Sequence, residues 1–227
     1  MEVIYEDNHL IIVNKQAGEL VQGDRTGDTP LVDRLKLWLK EKYNKPGNVF
    51  CGVTHRIDRP TSGLVVFAKT SKGLERMNEL FRKGEVSKTY WAIVSQRPSQ
   101  SSGTLTHYLT AVERNNKTYA SLTPTPDGRR SVLNYRLLAS GERYHLLEVE
   151  LITGRKHQIR CQLAAIGCPI KGDLKYGAKR SNPDGSISLQ SHRISFVHPV
   201  SKELIDVTAP VPNDALWQDL ARQVAHE

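Results

Sequence analysis

The chain has little cysteine and no long apolar run. Its three cysteines, Cys51, Cys161 and Cys168, are odd in number and fit no CxxC pattern. They support neither a disulfide framework nor a cysteine zinc site, and fit a reducing cytoplasm. No apolar stretch approaches the roughly 18 residues of a membrane-crossing helix. Met1-Glu2-Val3-Ile4-Tyr5 lacks the basic, apolar and cleavage regions of a secretory signal. Walker A loops, zinc signatures, internal repeats and low-complexity tails are also missing. What remains is a globular chain of 227 residues with 38% apolar content, enough to bury a core.

Charge is the first positive signal. The formal net charge is +8 and the isoelectric point is near 9.4, which favours a polyanionic partner. Distribution says more than the total. Between Arg155 and Arg180 stand Arg155, Lys156, Arg160, Lys171, Lys175, Lys179 and Arg180 against the single acid Asp173, so 7 minus 1 leaves +6 in one segment.

Periodicity predicts strands at Val3 to Tyr5 and Leu10 to Asn14, then a helix over Leu31 to Tyr43 ended by Pro46-Gly47. Ser71 is placed to cap a helix carrying Leu74, Met77, Leu80 and Phe81. Strands follow at Thr89 to Val94, Val132 to Leu138 and Tyr144 to Leu151, with loops at Gln96 to Gly103 and Pro124 to Arg130. A helix is expected from about Thr153, two strands around His198-Pro199, and a terminal helix over Leu216 to Val224. Strands outnumber helices without regular βαβ alternation, which predicts an α+β fold with a mainly antiparallel sheet in one domain.

Three segments carry candidate chemistry. HRIDRPTSGL (residues 55 to 64) sets Asp58 among His55, Arg56 and Arg59 just before an apolar run. Pro60 holds Arg59 extended and Gly63 permits a tight approach, so Asp58 is expected in a rigid loop at a strand entrance. The neighbouring cations favour an ionised acid, suited to act as nucleophile or base, although a turn aspartate in an ordinary ion pair reads the same way. HRID shares letters with a kinase catalytic loop, but the spacing differs and neither a glycine-rich loop nor DFG accompanies it.

In TGRKHQIR (residues 153 to 160), Ile159, Leu163 and Ile166 form an apolar stripe with Lys156 and Arg160 on another face. Arg155 and Lys156 in a first helical turn would oppose the macrodipole, which a nearby anion would offset. A solvated basic helix end is the plainer reading. In SKTYWAIV (residues 87 to 94), Lys88, Tyr90 and Ala92 point to one face of a strand and Trp91 and Ile93 to the other. Tyr90 is there an aromatic platform or a core residue.

Together these segments resemble the RluA family of pseudouridine synthases. HRIDRPTSGL is similar to the family's HRLDxxTSG, and VIYEDNHLIIVNKQAG to its opening. SKTYWAIV resembles KxYxAxV, while TGRKHQIR and GCPIKGDLKYG resemble TGRxHQIRxH and GHPIxGDxxYG. Order and spacing agree over most of the chain. The resemblance implies a single catalytic domain with a mixed, mainly antiparallel sheet, flanking helices and a central active-site cleft. It implies isomerisation of uridine to pseudouridine in transfer or large-subunit ribosomal RNA, without metal or cofactor, by a monomeric cytoplasmic enzyme with no membrane partner. A start at Met1 leaves no room for the N-terminal accessory RNA-binding domain of some relatives.

By the same resemblance Asp58 is the catalytic aspartate, Tyr90 stacks on the target base and Arg160 pairs with Asp58. Arg56 fills the space left by the flipped base, Ile159 lies against the substrate, and His55, Arg155, Lys156 and Lys175 contact phosphate. The chain departs from the pattern at Gln16 for proline, at Cys161 and Gln162 for valine and histidine, and at Gln190 for histidine. Two other classes fit less of the sequence: a noncatalytic RNA-binding or RNA-folding factor of the same fold, and a hydrolase using Asp58. The second lacks an evident paired acid.

Overall fold

The computed structural model describes residues 1–224. They divide into two compact units, one built from residues 1–86 and 193–209, the other from residues 87–192 and from 210 onward. Each unit draws on two stretches of chain, so no single linker marks a boundary in the sequence.

The first unit contains β1 (Glu2–Glu6), β2 (Leu10–Lys15), α1 (Leu31–Lys42), β3 (Gly52–Val53), β4 (Ser62–Ala68) and α2 (Ser71–Lys83). The second contains β5 (Ser87–Val94), β6 (Ser102–Val112), β7 (Lys117–Ser121), β8 (Arg129–Ser140), β9 (His145–Leu151) and α3 (Gln158–Ala165). The unit boundary falls within β10 (Leu189–Val197); β11 (Leu204–Thr208) returns to the first unit and α4 (Ala215–Val224) to the second. None of these helices is long and apolar enough to cross a membrane.

In the first unit β2 lies between β1 and β4, antiparallel to both, with Lys15 opposite Gly63. β3 also pairs with β4, and β11 with the end of β10. Leu10, Ile12, Leu64, Val66 and Ala68 present one sheet face to Met77 of α2 and to Ile194, Phe196 and Ile205. Burying a side chain the size of Met77 contributes about 1.5–3 kcal/mol. α2 is capped by Thr70, one residue earlier than expected: its hydroxyl accepts from Gly73 N–H, and Gly84 ends the helix in the left-handed conformation. α1 starts after Pro30 without a side-chain cap because Leu31 and Val32 donate their N–H groups to the carbonyls of Leu20 and Val21.

The second unit runs β5-β9-β8-β6-β7, and the pairings of these neighbours are antiparallel. Trp91 and Ile93 enter a core with Ala139, Leu146, Trp217 and Leu220, which seats α4. A smaller cluster of Leu109, Cys161 and Tyr176 seats α3. The α+β class and mainly antiparallel pairing agree with the sequence reading. β6 and β7 were not foreseen, and β6 begins inside the expected loop at 96–103. The largest correction is α3, which begins at Gln158 rather than near Thr153.

Candidate active site

The loop carrying Asp58 is fixed from both ends. Thr54 and His55 take up the two backbone groups of Val66: the Thr54 hydroxyl donates to its carbonyl at 2.7 Å, and its N–H donates to His55 Nε2 at 3.0 Å. Asp58 to Thr61 form a turn closed by Thr61 N–H on the Asp58 carbonyl at 3.0 Å. Gly63 follows with φ +110°, a conformation other residues rarely adopt, and this admits the sharp entry into β4.

Beneath the loop lies Lys15, with none of its surface exposed. Its ammonium donates to the carbonyls of Gln16, Glu19 and Arg59 at 3.0, 2.8 and 3.1 Å. Burial pushes Lys15 down to about 8, against the opposing pull of the Glu19 and Asp58 carboxylates. The Arg59 carbonyl also accepts from Gly18 N–H, while its guanidinium donates to the Gly18 carbonyl and Asp28. Arg59 therefore braces the loop. Asp58 is half-buried at its edge, Ile57 points inward and Arg56 is exposed.

In the second unit Tyr90 sits on β5, 7% exposed and opposite Val149. Its neighbour Trp91 faces the other way and stacks on His192, with ring centroids 3.7 Å apart at 15°. Gln190 holds that imidazole through Oε1 at 3.0 Å and donates to the Pro210 carbonyl at 2.7 Å.

Thr153 does not cap α3. Its hydroxyl accepts from Val132 N–H and lies 2.9 Å from Gln158 Oε1, which also accepts from Arg155 N–H at 3.0 Å. These bonds tie residues 153–157 into a turn on β8, and His157 occupies the left-handed region at φ +53°. Arg155 and Lys156 thus precede the helix, exposed, and do not oppose its macrodipole; Lys156 and Arg160 share no helical face. Ile159 and Arg160 are buried in the first turn.

Arg160 is gripped by Asp173, with Nε at 2.7 Å and Nη2 at 2.9 Å from its two oxygens. The side chains are only 6% and 1% exposed. A bidentate fork fixes the guanidinium plane. The Tyr176 ring lies 5.0 Å from the guanidinium carbon, and its hydroxyl accepts from Thr118 N–H and meets His157 Nδ1 at 2.8 Å. Burial pushes the Tyr176 phenol up to about 12, so it stays protonated. Gly172 supports this corner at φ +88°, where a Cβ would lie 2.7 Å from the Ser186 carbonyl oxygen.

Asp173, Tyr176 and Lys15 were given no role from sequence, although the first two stand in GCPIKGDLKYG and the third in VNKQAG. Among the expected phosphate contacts, Lys175 donates to the Asn116 carbonyl at 2.9 Å. His55 Nε2 accepts a backbone N–H and is therefore not the nitrogen that could donate to phosphate. The departures have local reasons. Gln16 N–H donates to Glu19 Oε2 at 2.9 Å, a bond proline lacks. Gln162 is fully buried and its amide nitrogen meets His107 Nδ1 at 2.9 Å.

Comparison with known proteins agrees with this arrangement of motifs. Residues 9–165 match the family model described as RNA pseudouridylate synthase. "Uncharacterized RNA pseudouridine synthase YlyB" of Bacillus subtilis is 34% identical over 94% of this chain and 70% of its own. "Ribosomal large subunit pseudouridine synthase D" of Zymomonas mobilis is 31% identical over 94% of this chain and 70% of its own. Among solved structures, human RNA pseudouridylate synthase domain containing 4 superposes with a TM-score of 0.79 at 23% identity, over 99% of this chain and 93% of that one. The matching fold, the family model over most of the chain and relatives above 30% identity lead to one assignment: this chain belongs to the RluA-type RNA pseudouridine synthases, enzymes that act on RNA.

Proposed function

We propose that this chain isomerises specific uridines of structured RNA, ribosomal or transfer, as a cytoplasmic monomer, with Asp58 as the catalytic carboxylate. The reaction breaks the bond from C1′ to N1, turns the uracil and joins C1′ to C5; the C5 hydrogen leaves as a proton and N1 takes up another. An ionised acid beside sugar and base serves as nucleophile or as base toward a sugar proton. Arg160 is the cation paired with it, and Tyr90 stacks on the uracil. Flipping the base out costs a few kcal/mol, which stacking at about 1–3 kcal/mol and phosphate contacts offset. Arg56 fills the vacated space, Ile159 lies against the substrate, and His55, Arg155, Lys156 and Lys175 hold phosphate.

The observation that carries this reading is the Asp58 loop, a family motif braced by Lys15 and Arg59 so that one carboxylate is held at its edge. Large-subunit ribosomal RNA is the first substrate to try, because a relative bears that name. The test is tritium release from RNA labelled at uracil C5, on unmodified large-subunit ribosomal and transfer RNA pools. Native protein should release tritium without free uracil, and Asp58→Ala should release none. Binding without release on both pools would favour a noncatalytic RNA-binding factor.

A further inference from the structure

β6 changes partners along its length, and a cleft opens where it does. It pairs with β8 as far as Leu109 opposite Arg129, the first residue of β8, while its pairing with β7 continues to Val112 opposite Lys117. At this fork lies a cleft of about 230 Å³ lined by Leu109, Thr110, Thr118, Arg129, Arg155 and Lys156, with Asp127 at its side. Asp58, Tyr90 and Arg160 do not line it.

The walls are held by bonds that do not use the charged ends. Thr118 Oγ1 donates to the Lys156 carbonyl at 3.0 Å, and Arg155 N–H donates to Gln158, so the turn carrying both cations is tied to β7 and α3. On the other side Gly128 N–H closes a turn on the Thr125 carbonyl, and the Thr125 and Thr110 hydroxyls lie 3.3 Å apart. A Cβ at Gly128 would come within 2.3 Å of Thr125 Oγ1, so the turn presenting Asp127 and Arg129 is tight.

Arg136, on the same strand as Arg129, is ion-paired with Glu148, and Arg160, on the helix that follows Arg155 and Lys156, with Asp173. No ion pair among the described residues involves Arg129, Arg155 or Lys156. Three cations from two tied turns therefore converge on one cleft without compensation beyond Asp127. The lining also includes the apolar Leu109 and the oxygens of Thr110 and Thr118, which can meet a sugar beside the phosphate.

We propose that this cleft binds a sugar-phosphate of the RNA strand flanking the target uridine, with Arg129, Arg155 and Lys156 gripping the phosphate. The inference rests on the RNA-modifying function proposed above and adds a second anchoring point and a residue, Arg129, that no motif marks. Asp127 gives it a sign test, since a carboxylate beside a bound phosphate opposes binding.

The experiment measures binding of unmodified substrate RNA by fluorescence anisotropy from 50 to 200 mM salt, alongside tritium release. Arg129→Ala should weaken binding about 5- to 10-fold and flatten the slope of log K against log salt by about 0.7–0.9, the loss of one phosphate contact. Asp127→Asn should tighten binding about 2- to 5-fold. Arg136→Ala, on the face of β8 and paired with Glu148, should change neither. An unchanged slope for Arg129→Ala, or weaker binding by Asp127→Asn, overturns the cleft while tritium release persists. Loss of all release with the Arg129 effect intact overturns the catalytic reading and leaves the cleft standing.

Discussion

The ion pair between Arg160 and Asp173 provides the sharpest test of how the second unit is built. Both side chains are nearly sealed from water and joined by two short bonds, so removing either takes from the other a bidentate contact that water is poorly placed to replace. Breaking a buried pair in this way costs about 3–5 kcal/mol. For a chain of this size each kcal/mol moves the melting temperature by about 2–4 °C, so Asp173→Leu or Arg160→Met alone should melt about 6–20 °C lower. Replacing both removes the desolvation of two ions together with their attraction, and the double variant should recover to within about 1 kcal/mol of the native protein. Trp91 and Trp217, 8% and 6% exposed in the core of the same unit, report its unfolding by fluorescence. Turnover separates the roles: on the role proposed for Arg160 beside Asp58, the double variant regains stability and still fails to release tritium. Single variants costing under about 1 kcal/mol, or a double variant as unstable as the sum of the singles, would refute the reasoning.

The remaining predictions test other parts of the chain. Lys15 titrates near 8 when folded and at its ordinary 10.5 when unfolded, so the unfolded chain binds more protons between those values and stability rises with pH there. From pH 8 to 9.5 the rise due to Lys15 is about 1.5 × 1.36, or ~2 kcal/mol, and denaturant titrations of Lys15→Met should lack it; equal pH slopes would count against the assignment. Burial pushes Cys51 up to about 12 and Cys161 to about 11, and raises Cys168, so alkylation by iodoacetamide at pH 8 should be roughly 100-fold slower in native than in unfolded protein. Rapid labelling of native thiols would contradict that burial. Gly172→Ala forces a Cβ against the Ser186 carbonyl at positive φ and should cost more than about 2 kcal/mol by thermal unfolding; an unshifted melt means the corner yields. Arg56→Lys should lower turnover about 10-fold on structured RNA and less on an unpaired oligonucleotide, and undiminished turnover on structured RNA would remove its role in flipping.

Which parts of the site were legible follows from how far apart their partners lie in the chain. Asp58 could be picked out because its motif is contiguous and the turn geometry is encoded by Pro60 and Gly63. Lys15 could not, because a lysine reads as a solvent-facing cation until the carbonyls of Gln16, Glu19 and Arg59 converge on it, and the last comes from a loop 44 residues away. Thr153 looked like a helix cap by residue type, but Val132 and Gln158 compete for its hydroxyl and the helix starts five residues later. β6 escaped notice because SGTLTHYLTAV alternates with threonines on a half-exposed face, leaving a weak apolar period.

The basic run from Arg155 to Arg180 shows the limit of charge counting most directly. The segment carries +6 in sequence, yet Arg160 is buried against Asp173, Lys171 is bound to Asn182 at 2.6 Å and Lys175 to the Asn116 carbonyl. Arg155 and Lys156 instead line a cleft completed by Arg129, which lies outside the run. A cation bound to a protein acceptor has fewer donors to offer phosphate, and one sealed in a buried pair offers its charge only to what it touches. The summed charge therefore indicates the class of partner, while the distribution of internal acceptors decides which cations meet it. Arg129→Ala should accordingly flatten the salt dependence of RNA binding more than Lys171→Ala does, although only Lys171 lies in the charged run.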